Sequence, residues 1–572
     1  MRIESRPIPN QLPHLGDLPP LLQRLYAARG VSSAAELDKT VKSLLPYSLF
    51  KGMGQAVAVL REALEQQKSI LVVGDFDADG ATASSVAVLA LRRLGAGKVD
   101  YLVPNRFEFG YGLTPEIVEV ALTRQPQVLL TVDNGISSLD GVAAAKAAGL
   151  TVVVTDHHLP AEQLPAADAI VNPSQPGCDF PSKAIAGVGV IFYVMLALRA
   201  EMRECGWFNS HRPEPNLAEL LDLVALGTVA DVVPLDANNR ILVHQGLARI
   251  RSGRCRPGIR ALLEVAGRPA ERLVSTDLGF IVGPRLNAAG RLDDMSLGIE
   301  CLLTENDDLA RDMARELEEL NRDRKAIERD MQRQALASLE ATRIDERDIP
   351  FGLCLFDPDW HQGVIGILAS RLKDRYHRPV IAFADAGNGQ LKGSARSVAG
   401  FHIRDALDAV AASCPGLIAK FGGHAMAAGL SLAQDKFAQF AEAFDVQVRK
   451  QLCADDLTGR LLSDGELCAD EFSLLIASQL REAGPWGQHF PEPGFHGEFQ
   501  LVQQRLLADR HLKMVLQMPG CSQLLDAIAF NIDPKLWPNP TIQKVLAAYT
   551  LDINEYRGRQ SLQLLIKHIQ PV

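Results

Sequence analysis

The segment that most constrains this chain is the acidic stretch that follows its first strongly apolar run, S-I-L-V-V-G-D-F-D-A-D-G-A-T-A-S. Residues 70–73 are continuous enough to predict a strand buried on both faces. Carboxylates follow this run at every second position, at Asp75, Asp77 and Asp79. Because carboxylates so close together repel one another unless a cation lies between them, the segment favours a site for a hard divalent metal ion.

The same letters match the first half of a calcium-binding EF-hand loop, which is the alternative interpretation. That loop needs a glutamate at its twelfth position, where this chain has Val86, and it follows a helix rather than a strand. We expect Gly80 to allow a tight turn, before a helical pattern that begins at Ala81. The sequence therefore favours a metal site at the end of a strand over an EF-hand.

Strands and helices alternate between residues 69 and 173. The predicted strands are residues 70–73, 99–103, 128–132, 151–155 and 169–171, and the predicted helices are residues 81–94, 115–123 and 139–148. Alternation of this kind predicts a parallel sheet covered by helices on both faces. Ligands of such sheets bind beyond the carboxyl ends of the strands.

Polar side chains stand at several of these strand ends. The acidic segment follows the first strand, P-N-R with Arg106 the second, T-V-D-N-G with Asp133 the third, and T-D-H-H with Asp156, His157 and His158 the fourth. A single aspartate after a strand is usually a helix cap, and a single histidine is usually structural. Carboxylates and imidazoles at three strand ends together predict a ligand cluster.

One further carboxylate lies outside the predicted sheet. Asp231 stands in the apolar frame G-T-V-A-D-V-V-P-L, where an unpaired carboxylate would be costly to bury. It either caps the next segment or completes the metal cluster.

The middle of the chain carries a phosphate-type motif and then a long charged segment. The motif G-P-R-L-N-A-A-G-R contains Arg285, Asn287 and Arg291, and arginine suits bidentate phosphate contacts. An ordinary surface arginine pair is the alternative. Residues 305–343 are dense in charge and free of Gly and Pro, which predicts one long, mostly solvated helix that connects two domains.

A second α/β module is predicted from about residue 350 to residue 450. Its predicted strands are residues 351–356, 380–383 and 391–396, and its predicted helices are residues 364–374, 403–411 and 437–448. Between His361 and Arg404 it carries seven Lys or Arg against two Asp or Glu. Glycine-rich segments here bring Ser394, Arg396 and His424 into positions that suit an anion.

The two ends of the chain differ from its middle. Residues 1–66 read as a helical preface without evident chemistry. Strand-like runs at residues 512–517, 524–530, 545–553 and 561–569 predict a small C-terminal β-barrel, and an OB-type barrel would suit single strands.

Charge and cysteine usage limit the class of protein. A net charge of −10 argues against non-specific coating of nucleic acid but leaves room for a local basic groove. Nine cysteines without a C-x-x-C pair suggest neither a zinc knuckle nor a disulfide framework, and they suit a reducing compartment such as the cytoplasm. The N-terminus has no apolar signal core, and the longest apolar run, residues 184–198, is too short for a membrane helix.

Taken in order, D-x-D-x-D-G, V-D-N-G, T-D-H-H, G-T-V-A-D-V-V-P-L, P-R-L-N-A-A-G-R, G-S-A-R-S and F-G-G-H-A-M-A-A-G resemble the DHH phosphoesterase superfamily. The resemblance covers roughly residues 50–572 and implies an α/β protein. A DHH-type parallel-sheet domain and a second, smaller α/β domain would be joined by a long helix, with a C-terminal OB-like β-barrel. The expected domains are residues 1–66 (preface), 67–303 (DHH), 304–345 (connector helix), 346–455 (substrate-binding) and 456–572 (OB-like).

The resemblance also implies a site with two divalent ions, Mn²⁺ or Mg²⁺. It places Asp77, Asp79, Asp133, His157 and Asp231 among the ligands, with Asp133 bridging, and Asp75 and His158 beside them as catalytic residues. Candidates for holding the strand and its 5′ phosphate are Arg106, Arg285, Asn287, Arg291, His361, Ser394, Arg396 and His424.

The activity implied in this way is that of a single-stranded-DNA-specific 5′→3′ exonuclease, which releases 5′-mononucleotides by two-metal-ion hydrolysis in DNA recombination and repair. Expected partners are single-stranded DNA and, by family analogy, a RecQ-type helicase and single-strand-binding protein. One alternative is a DHH phosphodiesterase that acts on short oligonucleotides or cyclic dinucleotides. Another is a catalytically silent subunit that only binds the strand.

Overall fold

The acidic segment and its sheet lie in the larger of two compact units into which the chain divides. The computed structural model describes residues 1–105, 112–341, 349–534, 536–556 and 558–572, with the side chains of 338–341 and 556 excepted. The larger unit comprises Ser5–Glu319 and Leu462–Val572, and the smaller unit comprises Met1–Glu4 and Leu320–Leu461.

The N-terminal preface is not wholly helical. It contains the strand β1 (Arg2–Ser5) and the helices α1 (Pro20–Ala27) and α2 (Met53–Glu65), with single-turn 3-10 helices at Ala34–Leu37, Val41–Ser43 and Tyr47–Leu49. Strand β1, which pairs with a later strand of the chain, is an element of the preface that its helical pattern did not predict.

The predicted parallel sheet is confirmed. Its elements are β2 (Ser69–Val73), α3 (Ala78–Leu94), β3 (Lys98–Leu102), α4 (Pro115–Leu122), β4 (Val128–Val132), α5 (Leu139–Ala147), β5 (Thr151–Thr155) and β6 (Ala169–Val171). The strands lie in the order β3-β2-β4-β5-β6, and every neighbouring pair is parallel. Strands β2 and β4 are buried almost throughout, as an apolar run between two helical layers should be.

Helix α3 begins three residues earlier than its apolar pattern suggested. Asp77 is its N-cap and accepts a hydrogen bond from the Gly80 N–H at 3.0 Å. Gly80 therefore lies inside the helix and makes no tight turn. Its glycine is needed for another reason, because a Cβ there would overlap the backbone carbonyl of Asp75.

Helices fill the rest of the larger unit before the connector. They are α6 (Gly187–Glu204), α7 (Leu221–Ala230), α8 (Ala237–Arg251), α9 (Pro257–Val265), α10 (Ser275–Asp277), α11 (Gly283–Leu292) and α12 (Ser296–Leu303), with a π-helical turn at Leu278–Val282. Helix α13 (Asp307–Ala341) is the long charged helix that the sequence predicts, and it contributes to both units.

The smaller unit is built on a mixed sheet. Its elements are β7 (Leu353–Phe356), α14 (Ile365–Tyr376), β8 (Val380–Gly387), β9 (Gln390–Arg396), α15 (Ile403–Ser413), β10 (Lys420–Gly423), β11 (Ala427–Ala433) and α16 (Phe437–Gln451), in the sheet order β10-β11-β9-β8-β7. The segment F-G-G-H-A-M-A-A-G, expected to be a glycine loop, forms the β10–β11 hairpin instead. Phe383, Phe440 and Phe444 fill the core between this sheet and its helices.

A closed barrel ends the chain, and the predicted OB-like architecture is confirmed. After β12 (Arg460–Ser463) and α17 (Leu474–Ala483), its strands are β13 (Phe495–Leu507), β14 (His511–Gln517), β15 (Leu524–Ala529), β16 (Lys544–Tyr556) and β17 (Arg559–Pro571). They close in the order β13-β14-β15-β17-β16, and β15 and β17 form the parallel pair. Strand β13 was not among the predicted strands.

The segment before the barrel packs against the preface within the larger unit. Asp464 accepts charged hydrogen bonds from Arg29 at 2.8 Å and from Arg6 at 3.1 Å, and its side chain is 2% exposed. Beside this ion-pair group, Trp486 stacks on Phe490 with ring centroids 5.1 Å apart. In the part of the chain that the structure describes, no helix has the length and apolarity needed to cross a membrane.

Candidate metal centre

The carboxyl edge of the parallel sheet brings the predicted ligands together. Asp75 follows β2, Asp133 follows β4 and His157 follows β5, while Asp77 and Asp79 lie at the first turn of α3. Asp231 directly follows the last residue of α7 and is the residue that caps its end. Residues from separate parts of the sequence thus meet at one site.

The ligand atoms lie within coordination range of common points. His157 Nε2 is 3.1 Å from Asp133 Oδ1, 3.5 Å from Asp231 Oδ2 and 3.9 Å from Asp79 Oδ2. Side chains with ligand atoms mutually within 4.8 Å form the sets Asp133–His157–His158, Asp79–His157–Asp231 and Asp75–Asp77–Asp133. Asp133 and His157 each belong to two sets, and of the two only the Asp133 carboxylate, with its two oxygens, could be shared between ions.

Burial and mutual repulsion make the carboxylates hard to ionise without a cation. Burial, and then the neighbouring Asp77, raises the pKa of Asp79 to about 7. Burial, and then Asp79, raises the pKa of both Asp133 and Asp231 well above the ordinary range. Among the described residues, Asp231 Oδ2 is buried without a hydrogen-bond donor. Oxygen and imidazole donors of this kind fit Mn²⁺ or Mg²⁺, so the residues present suit the implied ions.

Asp156 holds the ring of His158 and the backbone of His157, a role that was not predicted from the sequence. Its Oδ1 accepts hydrogen bonds from the His158 ring Nδ1 at 2.7 Å and from the His157 backbone N–H at 2.7 Å. Burial alone would lower the pKa of His158, but the hydrogen bond and charge of Asp156 outweigh it and raise the pKa to about 9. Its position two residues before His158 in the T-D-H-H motif was the available signal.

Glycines allow two helices to approach the carboxylates closely. The backbone N–H groups of Gly187 and Val188, at the start of α6, donate to Asp79 at 2.7 and 2.9 Å, where the helix dipole favours a negative charge. A Cβ at Gly187 would lie 2.5 Å from Asp133 Oδ1, and one at Gly227 would lie 2.9 Å from Asp79 Oδ1. Asp133 itself has a left-handed backbone with φ of 62°, a strained conformation for this residue type.

Helix α11 carries three residues that were predicted to bind substrate. Asn287 Oδ1 accepts a hydrogen bond from the Ala78 backbone N–H at 2.8 Å, between two of the acidic residues. Arg285 is buried and makes an ion pair with Glu318 at 2.7 Å. Arg291 lies half-buried in the last turn of the helix. The contacts of Asn287 and Arg285 lie within the protein, and substrate binding by any of the three stays a prediction.

The smaller unit holds the other described candidates. Arg396 Nη1 donates to Ser394 Oγ at 3.2 Å and to the Ala395 carbonyl at 2.8 Å, and burial lowers the pKa of its guanidinium. A Cβ at Gly366, in the first turn of α14, would lie 2.9 Å from both the Arg396 and the Ser394 side chain, so a glycine is needed where this helix packs against them. Within the described residues no carboxylate lies in ion-pair range of Arg396.

The remaining candidates are His361, His424 and Arg106. His361 Nδ1 accepts a hydrogen bond from the Gly363 N–H at 3.1 Å, and the His424 backbone N–H closes the turn between β10 and β11 by donating to Ala427 at 2.8 Å. Arg106 lies outside the described residues. Any contact of these three side chains with substrate stays a prediction.

Three family models match the chain in order. The N-terminal domain of the DHH family matches residues 69–228, the DHHA1 domain matches residues 350–450, and the RecJ OB domain matches residues 463–568. The first covers the sheet and every residue of the metal-type cluster except Asp231, the second covers the smaller mixed sheet, and the third covers the barrel.

Proteins named single-stranded-DNA-specific exonuclease RecJ are similar to this chain over nearly its whole length. The protein of Dickeya dadantii is 59% identical over 556 residues, which cover 97% of this chain and 96% of the relative. The protein of Escherichia coli is 57% identical over 557 residues, with the same coverage of both chains.

Solved structures agree with these sequence similarities. The crystal structure of RecJ in complex with Mn²⁺ from Thermus thermophilus matches with a TM-score of 0.81 at 30% identity, over 100% of this chain and 79% of that one. The complex with Mg²⁺ from the same organism gives a TM-score of 0.76 at 29% identity, over 100% of this chain and 78% of that one.

Proposed function

The chain belongs to the RecJ family of single-stranded-DNA-specific exonucleases, and from this premise we propose how its own residues divide the reaction. It is a metal-dependent exonuclease that acts on single-stranded DNA. The observation that carries the site assignment is the convergence of two buried carboxylates, Asp79 and Asp133, and the partly buried Asp231 on one imidazole nitrogen, His157 Nε2, within 3.9 Å.

In this proposal Asp77, Asp79, Asp133, His157 and Asp231 hold two divalent ions, and Asp133 is shared between them. When bound, the ions would activate the attacking water and neutralise the charge that develops on the leaving oxygen. The N-terminus of α6 holds the Asp79 carboxylate in place, and Asp156 holds the proton on His158 Nδ1 and so sets how that ring faces the cluster. Asp75 and His158 complete the site as catalytic residues.

We assign a 5′→3′ direction and 5′-mononucleotide products, supported by an anion site in the smaller unit. Arg396 and Ser394 offer a guanidinium and a hydroxyl at one place, next to Gly366 in the first turn of α14. A terminal phosphate carries more charge than an internal diester, so such a site favours a phosphorylated end. The remaining candidates, Arg106, Arg285, Arg291, His361 and His424, stay proposals for strand contact, and Asn287 is considered separately below.

We also propose the cellular setting that the family analogy implies. A helicase of the RecQ type would supply single strands, and single-strand-binding protein would keep them open. Unpaired cysteines among the described residues suit the reducing cytoplasm.

A degradation assay with end-labelled DNA tests the proposal. Single-stranded DNA labelled at the 5′ or the 3′ end, duplex DNA and RNA are each incubated with Mn²⁺, with Mg²⁺ or with chelator. We expect early release of a labelled 5′-mononucleotide from single-stranded DNA alone, progressive shortening of the 3′-labelled strand, and no reaction with chelator. Early release of the 3′ label would contradict the direction.

The variant Asp133→Asn tests the assignment of the ions. Since it removes charge from the ligand that both ions share, we expect the rate to fall by about three powers of ten or more while strand affinity in chelator stays unchanged. Near wild-type hydrolysis by a folded Asp133→Asn protein would contradict the metal assignment.

A further inference from the structure

Helix α11 contacts the acidic loop at two points. The side-chain oxygen of Asn287 accepts the hydrogen bond of the Ala78 N–H at 2.8 Å. One turn further along, Gly290 lies so close to the loop that a Cβ there would overlap the Phe76 carbonyl oxygen. Helix α11, whose Asn287 is 209 positions from Ala78 in sequence, therefore holds the peptide between Asp77 and Asp79 in place.

The Ala78 N–H needs an acceptor from outside its own helix. Ala78 is the first residue of α3, and the first N–H groups of a helix have no carbonyl partner within it. Asp77 already accepts from Gly80 as the N-cap. Asn287 thus satisfies a donor whose direction also sets the directions of the two flanking carboxylates.

The other end of this arrangement is an ion pair with the connector helix. Arg285 lies two residues before Asn287 on α11, and its guanidinium pairs with Glu318 of α13 at 2.7 Å. The side chain of Arg285 is 9% exposed and that of Glu318 is 22% exposed, so the pair is largely removed from water. It fixes α11 to α13 close to the point where that helix passes from one compact unit to the other.

We infer that Asn287 is a positioning residue, which fixes the loop between Asp77 and Asp79 for metal binding, and that the Arg285–Glu318 pair anchors it to the connector helix. This inference rests on the proposed function, because it takes Asp77 and Asp79 to be metal ligands. It assigns Asn287 to metal affinity rather than to contact with the strand. Partners that orient metal ligands typically contribute 10- to 100-fold in metal affinity.

Mn²⁺ titration of the full chain, with free Mn²⁺ counted by electron paramagnetic resonance, tests the inference without catalysis. We expect Asn287→Ala to raise the Kd for Mn²⁺ by about 10- to 100-fold. Asn287→Asp keeps an acceptor for the Ala78 N–H and should stay within a few-fold of wild type. Affinity for a single strand in chelator should be unchanged in both variants.

An unchanged Kd for Mn²⁺ in folded Asn287→Ala would overturn the inference, and weaker strand binding by the same protein would assign the residue to the substrate. Asp133→Asn serves as the reference ligand variant. If it too leaves Mn²⁺ binding unchanged, the proposed site itself fails. If it weakens Mn²⁺ binding while Asn287→Ala has no effect, only the positioning role fails.

A matched pair of charge variants tests the anchor. Glu318→Gln removes the ion pair with Arg285, and we expect it to raise the Kd for Mn²⁺ by about threefold, since it acts through α11. Glu319→Gln changes the exposed neighbour on the same helix and should leave the Kd unchanged. Equal affinities in the two variants would overturn the anchoring role of Glu318.

Discussion

At Asp133 a side chain that is 2% exposed coincides with a left-handed backbone. Desolvation disfavours the charged carboxylate in the protein alone, and a bound cation would offset that cost. Desolvation acts in the same way on Asp79, which is 1% exposed and whose pKa burial raises to about 7. Individual side chains at the centre are therefore held in states that suit a bound ion better than an empty site.

The raised pKa values predict how stability changes with pH. Without metal, the folded protein binds protons at Asp79 more tightly than the unfolded chain does, so its stability should fall as pH rises from the ordinary carboxyl range to about 7. Mn²⁺ competes with these protons, so the stabilisation it gives should grow over the same range.

Thermal melting at several pH values between 5 and 8, in chelator and in Mn²⁺, measures both effects. We expect Mn²⁺ to raise Tm by several degrees at pH 8 and by much less at pH 5. An equal rise at both pH values would contradict the prediction. Asp133→Asn, which loses a shared ligand, should show a smaller rise at pH 8.

Arg396 should contribute to the cleavage of 5′-phosphorylated strands more than to that of 5′-hydroxyl strands. Because it is a largely buried cation without a carboxylate in ion-pair range among the described residues, Arg396→Ala should lower kcat/KM for 5′-phosphorylated strands by about 30-fold, the equivalent of ~2 kcal/mol for one charge-assisted hydrogen bond. Strands with a 5′-hydroxyl should lose much less. Arg404→Ala, an exposed arginine of the same unit, is the control. An equal loss on both substrates would show that Arg396 does not read the end.

At the scale of elements, the sequence predicted those strands and ligands whose signal lies in neighbouring residues. Strands β2, β4 and β5 are continuous apolar runs, and the ligands directly follow them, so the sheet and most of the cluster could be predicted. Strand β10 has glycine at two of its four positions, β11 consists largely of small residues, and β13 carries many polar side chains, so none of the three gave a strand signal.

Contacts between distant residues were not readable in the same way. The G-P-R-L-N-A-A-G-R motif indicates phosphate chemistry when read locally, whereas Asn287 and Arg285 contact Ala78 and Glu318 in the folded protein. The N-terminus of α6 at Asp79 was missed for the same reason, because nothing near Gly187 in sequence indicates its carboxylate partner.

The barrel is the element whose removal tests strand guidance. Because residues before it pack against the preface, a chain that ends at Gly494 keeps that packing and loses β13 to β17. We expect it to cleave short oligonucleotides but to bind long single strands more weakly, with a smaller dependence on salt, since fewer phosphates are neutralised. Unchanged affinity for long strands at two salt concentrations would remove the barrel from the binding surface.

At the scale of the whole molecule, the larger unit joins the two ends of the sequence. Asp464 holds Arg6 and Arg29 of the preface in a buried ion-pair group, and the Tyr26 hydroxyl donates to the Ala483 carbonyl at 2.8 Å. Residues that precede the sheet domain in sequence and residues that follow it thus pack together and stabilise one region of the larger unit.

Removal of the shared carboxylate should destabilise this region strongly. Asp464→Ala leaves two guanidinium groups without their partner, one of them fully buried, and breaking such a group typically costs about 3–5 kcal/mol. We therefore expect a lower Tm and a lower midpoint of urea unfolding. Asp470→Ala, at an exposed aspartate of the same segment, should change neither. Equal midpoints for the two variants would contradict the role of Asp464.

Three glycines that are far apart in sequence lie against the candidate metal centre: Gly187 beside the Asp133 carboxylate, Gly227 beside Asp79, and Gly290 beside the Phe76 carbonyl. A single methyl group at any of them would enter space that ligand-bearing backbone or side chains occupy. Loss-of-function alleles recovered in a genetic screen should therefore include codon changes to alanine or serine at these helix positions, with phenotypes as severe as changes to the aspartates themselves. A survey of tolerated substitutions across the coding sequence would therefore show intolerant positions around the metal centre at residues that bind no metal ion themselves.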